Sequence, residues 1–409
     1  MNPARSGFVF FFLLVYLPAQ VYLFWLLKHA FREHVHGEQR RRLLLRVVGS
    51  FLAIMAMPLA GRALFGVFAL QSYHWLTRDL FSLSTLWDFG SIGCATILIV
   101  YSVFPRMILI ASKPAGAPPD LKRRDFLRKG VGLVASAPLV ASGYGAPMER
   151  RRFVVDYLNV PVTGLSPALS QLTVVQLSDI HVGPFMTPAK LAEYVEAVNR
   201  LQPDLIALTG DFVTNSAIEV EPCVETLARL KSRYGTFACI GNHDIYARAD
   251  DALTRQFSAK GIETLRNAAI TFSVGDSKIS VLGVDDLRWG HPDLSQALAS
   301  IKEKAGEVKV LLSHRPEIFP SAAHAGIDLV LAGHYHAGQV KLGRNPASLS
   351  IARLLTPYAD GLFGRSQAPE AGMKDRKSTL FVSRGIGITG LPIRINCPPQ
   401  IAYLRLIRA

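Results

Sequence analysis

Cysteine is scarce in this chain, with four residues among 409. Cys94, Cys223, Cys239 and Cys397 show neither thiolate-zinc spacing nor the density of a disulfide framework. Any metal chemistry must therefore rest on nitrogen and oxygen donors. Charge is also sparse: Asp, Glu, Lys and Arg make up 19%, against 50% hydrophobic residues and a mean hydropathy of +0.25. That is too apolar for an ordinary soluble protein. Acids are the minority charge, 31 against 45 Lys and Arg, which leaves a net +14. No helix combines clustered basic residues with interleaved aromatics, so no nucleic-acid partner is expected. Internal repeats and low-complexity blocks are missing too; PAGAPP at 114–119 reads as a short linker.

The apolar excess sits at the front. Residues 7–27 carry no charge and are long enough to cross a hydrocarbon core, which needs about 20 residues. A second stretch runs from Val47 to Tyr73, interrupted by Arg62, whose long side chain can snorkel to an interface. A third runs from Phe89 to Pro105. The loop after the first stretch holds Lys28, Arg32, Arg40, Arg41, Arg42 and Arg46. The segment after the third holds Arg106, Lys113, Lys122, Arg123, Arg124, Arg128 and Lys129, while Arg78 stands alone between the second and third. The positive-inside rule makes both basic segments cytoplasmic and the chain a multi-pass protein of a cell inner membrane.

KRRDFLRKG at 122–130 then precedes a mildly apolar run, Gly130–Ala146. The pair Arg123-Arg124 followed by Asp-Phe-Leu resembles a twin-arginine export signal. This implies contact with the twin-arginine export machinery and a following domain on the outer, periplasmic face. Three segments result: 1–112 as a membrane region with about three transmembrane helices, 113–150 as a linker with the signal-like segment, and 151–409 as the catalytic region.

The chemistry lies in that last segment. Asp179-x-His181 comes first, then Asp211 after Gly210, Asn242-His243-Asp244 after Gly241, His314, and His334-x-His336. Each cluster ends a short apolar run: LTVVQLSDIH, DLIALTGDF, TFACIGNHD, VKVLLSH and DLVLAGHYH. Such runs read as buried strands, and in an α/β sheet the carboxyl ends of strands are where ligands collect. Two divalent ions roughly 3.5–4 Å apart can clamp a phosphate and stabilise both attacking and leaving oxygens. That requires imidazoles, a carboxylate able to bridge and a hard oxygen donor such as an Asn amide. Mixed nitrogen and oxygen ligation favours Mn, Fe, Zn or Co. His291 and His324 lie outside the blocks and read as surface residues.

The ordered series DxH, GD, GNHD, H and GHxH resembles the calcineurin-like metallophosphoesterases over about residues 170–405. The resemblance implies an α/β fold, a four-layer αββα sandwich preceded here by N-terminal transmembrane helices. It implies that Asp179, His181 and His336 hold one metal, that Asn242, His314 and His334 hold a second, and that Asp211 bridges them. It further implies that His243 serves the leaving group with Asp244 orienting it, and that a metal-bridging hydroxide attacks phosphorus. Arg384 and Arg394, flanking the glycine-rich run SRGIGITGLPIR, are candidates for a second substrate phosphate.

Coarse patterning supports alternating strands and helices. Thr187-Pro188 is a helix start, a hydroxyl cap followed by proline at the first helical position. Further helices are expected over 221–231 and 292–304, and a hairpin over AAITFSV and KISVLGV around Gly275-Asp276. The expected activity is hydrolysis of a phosphodiester or pyrophosphate in a lipid-linked or envelope substrate. The SRGIG…LPIR…PP tail and GHYHAGQV resemble the bacterial membrane-linked branch of that family, and the alternative this implies is cleavage of the pyrophosphate of UDP-2,3-diacylglucosamine, with the catalytic region on the cytoplasmic face. In that branch's tail, Gln400 stands where Glu is frequent. An inactive membrane-anchored sensor would predict lost ligands, and none of the nine positions is lost.

Overall fold

A computed structural model of the chain describes residues 12–60, 84, 86–88, 90–102, 130–140, 153–301, 307–366, 377–390 and 393–409. The chain divides into two compact units, Met1–Met148 with Leu391–Ile393, and Glu149–Gly390 with Arg394–Ala409.

In the first unit two helices, Leu13–His34 and Glu38–Ala60, are long and apolar enough to cross a membrane. Two shorter apolar helices cover Leu86–Ser102 and Gly130–Val140. Residues 61–73 of the expected second stretch and 89 and 103–105 of the third lie outside the described residues. The expected basic loop is mostly helical. Lys28 and Arg32 lie in the first helix, Arg40–Arg42 and Arg46 in the second, and Val35–Gly37 separate them. Helix propensity explains this, since arginine and leucine both extend a helix well. Gln20 donates to Ser91 Oγ at 2.7 Å and accepts from Trp87 Nε1 at 3.1 Å, which satisfies a buried amide among apolar helices. Arg62 and the twin-arginine-like residues 122–129 lie outside the described residues.

The second unit is built on two six-stranded sheets. Its strands are β1 (Val154–Val162), β2 (Thr173–Leu177), β3 (Leu205–Thr209), β4 (Thr236–Cys239), β5 (Ile262–Thr264), β6 (Ala268–Val274), β7 (Ser277–Gly283), β8 (Glu307–Leu312), β9 (Leu329–Ala332), β10 (Gly361–Ser366), β11 (Lys377–Val382) and β12 (Gln400–Arg408). One sheet runs β1-β12-β2-β3-β4-β5 and the other β10-β11-β9-β8-β7-β6. The block-bearing strands β2, β3 and β4 are parallel neighbours in the first sheet, and β8 and β9 in the second.

Period-two alternation sorts the side chains into three cores. Val174 faces the inter-sheet core with Leu205, Ala207, Val310, Leu312 and Leu331. Its neighbour Val175 faces a helix-covered core with Leu191, Tyr194, Val195 and Val198. On the far side, Leu311 and Val330 pack with Phe319 and Ala322. Three cores between four layers explain why these strands read as continuous apolar runs. Each buried aliphatic side chain stabilises this arrangement by about 1.5–3 kcal/mol.

Local signals act as their chemistry demands. Thr187 Oγ1 accepts from Lys190 N at 3.2 Å and caps the helix Pro188–Arg200. β6 and β7 form the antiparallel hairpin. The helix expected over 221–231 is Val220–Leu227, and that expected over 292–304 is Leu294–Ala299, capped by Asp293. All four cysteines are free.

Candidate metal centre

Each of the five blocks leaves the carboxyl end of its strand and turns at once. Asp179, His181, Asp211, His334 and His336 all adopt left-handed backbone, with φ of 52°, 51°, 57°, 76° and 48°. Non-glycine residues held there cost about 1–3 kcal/mol each and persist only where the surroundings enforce them. The enforcing bonds are visible. Asp179 N donates to Gly210 O at 3.0 Å and His181 N to Asp211 O at 2.9 Å. His334 N donates to the Asp179 carboxylate at 3.0 and 3.1 Å. Gly241 is required by close approach, since a Cβ there would collide with the amide and carboxylate of Asp211.

The strained turns aim the side chains at one place. Three overlapping donor groups could each hold a metal ion: Asp179, His181 and His336; His181, Asp211 and His243; and Asp211, His314 and His334. Within each, the donor atoms lie within 4.8 Å of one another. His181 Nε2 faces His336 Nε2 at 3.1 Å, and His336 Nε2 lies 3.2 Å from Asp179 Oδ1. Asp211 Oδ2 lies 3.2 Å from His314 Nε2 and 3.5 Å from His181 Nε2. His314 Nδ1 donates to Thr209 O at 2.8 Å, which turns its Nε2 inward, the usual support for a metal-binding imidazole. The donor set is nitrogen and oxygen throughout, and it fits divalent ions of the Mn, Fe, Zn and Co class.

Electrostatics agree with that fit at three of the imidazoles. Burial pushes His181 down to about 3 and His334 down to about 2, and it lowers His336 as well, so these imidazoles stay neutral. Burial alone would raise Asp211, but the adjacent His314 outweighs it and holds the carboxylate well below its usual range. Burial alone would lower His314, and the Asp211 charge overrides that and lifts it to about 10. Burial raises Asp179 to about 6 against the opposing pull of His314.

His243 is half-buried at the rim of this cluster. Its Nδ1 donates to Thr214 O at 2.6 Å, and its Nε2 lies 3.4 Å from Thr389 Oγ1. Asp244, expected to orient it, does something else. Its carboxylate accepts from the backbone N–H groups of Phe212 and Val213 on Oδ1 and of Asp211 and Gly241 on Oδ2. It staples the loop after β3 to the loop after β4, and Thr214 supplies the orientation of His243.

The two arginines expected at the substrate are also used structurally. Arg384 ion-pairs with Asp156 at 2.7 Å. Arg394 is fully buried, and its guanidinium donates to the carbonyls of Arg384, Gly387 and Cys397. The glycine-rich turn has orphan carbonyls that need donors, which claims the positive charge that sequence assigned to phosphate.

Arg315 was legible only as the neighbour of His314. It is buried, donates through Nε to Asp286 at 2.8 Å, and reaches His334 Nε2 at 2.6 Å and Asn242 Oδ1 at 3.2 Å. One guanidinium thus fixes a ring and an amide from two different blocks. Gln400 is also employed on both sides of its amide. Its Oε1 accepts from Arg384 N and its Nε2 donates to Asp156. An amide supplies both roles at once, which a carboxylate cannot.

Residues 172–338 match the calcineurin-like phosphoesterase family. A zebrafish (Danio rerio) protein described as a transmembrane protein with a metallophosphoesterase domain is 29% identical over 82% of this chain and 75% of its own length. A cattle (Bos taurus) protein of the same description is 32% identical over 70% of this chain and 64% of its own. An uncharacterised metallophosphoesterase of Bacillus subtilis is 27% identical over 70% of this chain and 98% of its own. With this match added to converging blocks and a nitrogen–oxygen donor cluster, the chain is a hydrolase of the metallophosphoesterase type, similar over residues 172–338 to the calcineurin-like family.

Proposed function

We propose that this protein is a membrane-anchored two-metal phosphodiesterase that hydrolyses a phosphodiester or pyrophosphate bond in an amphiphilic, lipid-linked or envelope substrate. The observation that carries the two-metal reading is the sharing of Asp211 between donor groups, with His314 and His334 on one side and His181 on the other. Asp179, His181 and His336 would hold one ion, and Asn242, His314 and His334 the other. When bound, two divalent ions supply positive charge to the phosphoryl oxygens and lower the pKa of water.

The chain's own residues do the rest. His314 is fixed by Thr209, and His334 by Arg315, so neither ring can turn away. His243 keeps its Nδ1 proton on the Thr214 carbonyl, which leaves Nε2 as the atom that exchanges a proton with the leaving oxygen. Burial of Asp179, His181 and Asp211 keeps bulk water from competing with the substrate.

The test is hydrolysis of bis(p-nitrophenyl) phosphate by the metal-loaded full chain. Asp211→Asn should lose both activity and one metal equivalent. His243→Ala should lower turnover by about 10²–10⁴ and keep its metal, because the backbone N–H that bonds Asp211 survives. Near-native turnover by Asp211→Asn would refute the shared-carboxylate reading.

The same reading anchors the chain in a cell membrane with its catalytic unit on the outer face. Its support is the pair of membrane-length helices and the basic run at 122–129. A carboxyl-terminal reporter active only outside the cytoplasm should give signal, and Arg123→Lys with Arg124→Lys should abolish it. A silent fusion in both cases would place the unit in the cytoplasm.

A further inference from the structure

One part of the catalytic unit exposes apolar side chains in a way that neither folding nor the metal site explains. Residues 341–360 form an excursion closed at its stem by a buried ion pair, Lys341 Nζ to Asp360 Oδ2 at 2.8 Å. Lys341 N donates to Ile395 O, and Asn396 donates to Lys341 O, which tie the stem to the chain near β12. Leu342 N donates to Leu349 O across a short ribbon, and Ser350 caps a helical turn, Ile351–Leu355. The tip presents Leu342, Leu349, Ile351, Leu354 and Leu355 at 79, 53, 66, 74 and 73% exposure. Ile351, Leu354 and Leu355 share one face of the turn by their i, i+3, i+4 spacing.

A floppy loop could fold such residues away; this one is held open by its stem. It is also joined to the metal centre. Gly338 lies two residues after His336, and a Cβ there would press within 3.0 Å of Ala352 N. Between 341 and 359 the sequence has no Asp or Glu, while Arg344 and Arg353 flank the leucines. A cluster of exposed leucines with basic neighbours and no acid is complementary to an anionic lipid surface.

We propose that this excursion is a membrane-interfacial patch, whose five apolar side chains sink into the headgroup boundary of an anionic bilayer and draw lipid-linked phosphodiesters to the metal centre beside it. The proposal rests on the membrane-anchored reading above. It adds that the catalytic unit itself touches the lipid, and that the acyl end of the substrate approaches along the Ile351–Leu355 face.

The experiment uses the full chain in vesicles containing phosphatidylglycerol, with a bimane fluorophore on Leu354→Cys. The native cysteines are buried, so the new thiol is the one labelled. Asp276→Cys, at the exposed tip of the β6–β7 hairpin, is the reference. Brominated phosphatidylcholine should quench the label at 354 and not at 276, and aqueous iodide the reverse. Iodide quenching of 354 as strong as that of 276 overturns the proposal. So does shielding of 354 from both quenchers in a chain that mass photometry shows to be paired, which would make the face a contact between copies.

Activity gives a second reading. Leu354→Asp with Leu355→Asp should raise the apparent KM for a vesicle-borne phosphodiester on the order of tenfold and leave bis(p-nitrophenyl) phosphate turnover unchanged. Equal loss on both substrates overturns the lipid role. If the wild-type chain cleaved no phosphodiester, the functional reading would fall, and the quenching result would still decide the patch.

Discussion

Asp244 offers the sharpest test of how this site is held together. Its two carboxylate oxygens accept four backbone N–H groups: Phe212 at 2.8 Å and Val213 at 3.1 Å on Oδ1, Asp211 at 3.0 Å and Gly241 at 2.9 Å on Oδ2. A hydrogen bond to a charged group contributes about 1.5–3 kcal/mol net, so the four sum to about 6–12 kcal/mol if taken as independent. They are not independent, and the charge itself is costly to bury. Burial pushes this carboxyl up to about 7, and the Asp211 charge adds to that, against the pull of the donors from Gly241 and Val213. Removing the acceptor also lets water enter. Asp244→Ala should therefore cost about 3–5 kcal/mol, the range found when one partner of a buried charged network is deleted. For a domain of this size that lowers the unfolding temperature by roughly 6–20 °C. Asp244→Asn should not rescue it, because the amide turns a donor toward two of the four N–H groups. The assay is thermal unfolding of the metal-free, detergent-solubilised chain, read beside kcat. If Asp244→Asn unfolds within about 0.5 kcal/mol of wild type yet loses turnover as His243→Ala does, the carboxylate acts on His243 and the staple account is wrong.

Two further expectations follow from the same geometry. Arg315→Met should release the His334 ring and weaken metal binding by about 10–100-fold. Pairing it with Asp286→Asn avoids an uncompensated buried charge, and an unchanged metal affinity in the double variant would show that Arg315 does not position His334. Metal binding should also depend on pH with a defined sign. In the metal-free protein Asp211 holds His314 up at about 10, so at neutral pH an incoming ion must expel that proton. Affinity should therefore rise about tenfold per pH unit below 10, and more steeply below about 6, where Asp179 is also protonated. Titration calorimetry in two buffers of different ionisation enthalpy near pH 8 should count about one proton released per ion pair bound; zero release would contradict a protonated His314.

The sequence alone determined the elements and the chemistry of this protein. Thr187-Pro188 starts its helix from local signals, because the cap is satisfied within one turn. The apolar runs before each block make strands buried on both faces, since only such strands lack a polar alternation. The residue types in the five blocks limit the site to nitrogen and oxygen ligation. What the sequence could not determine is which groups meet. His181 and His336 face each other at 3.1 Å from positions 155 apart. Their left-handed backbone is a strain that no local preference predicts and only the packed surroundings maintain. The same holds for charge. Arg384 and Arg394 look like phosphate ligands in a glycine-rich context, but the fold spends them on Asp156 and on orphan carbonyls. Arg315 looks like an ordinary neighbour of His314, yet tertiary structure sets it against His334 and Asn242. Asp244 shows the reason most plainly. The family resemblance assigned it to His243, but a buried carboxylate goes to whichever donors are otherwise unsatisfied, and here those are the backbone N–H groups of two loops that only the folded sheet brings together.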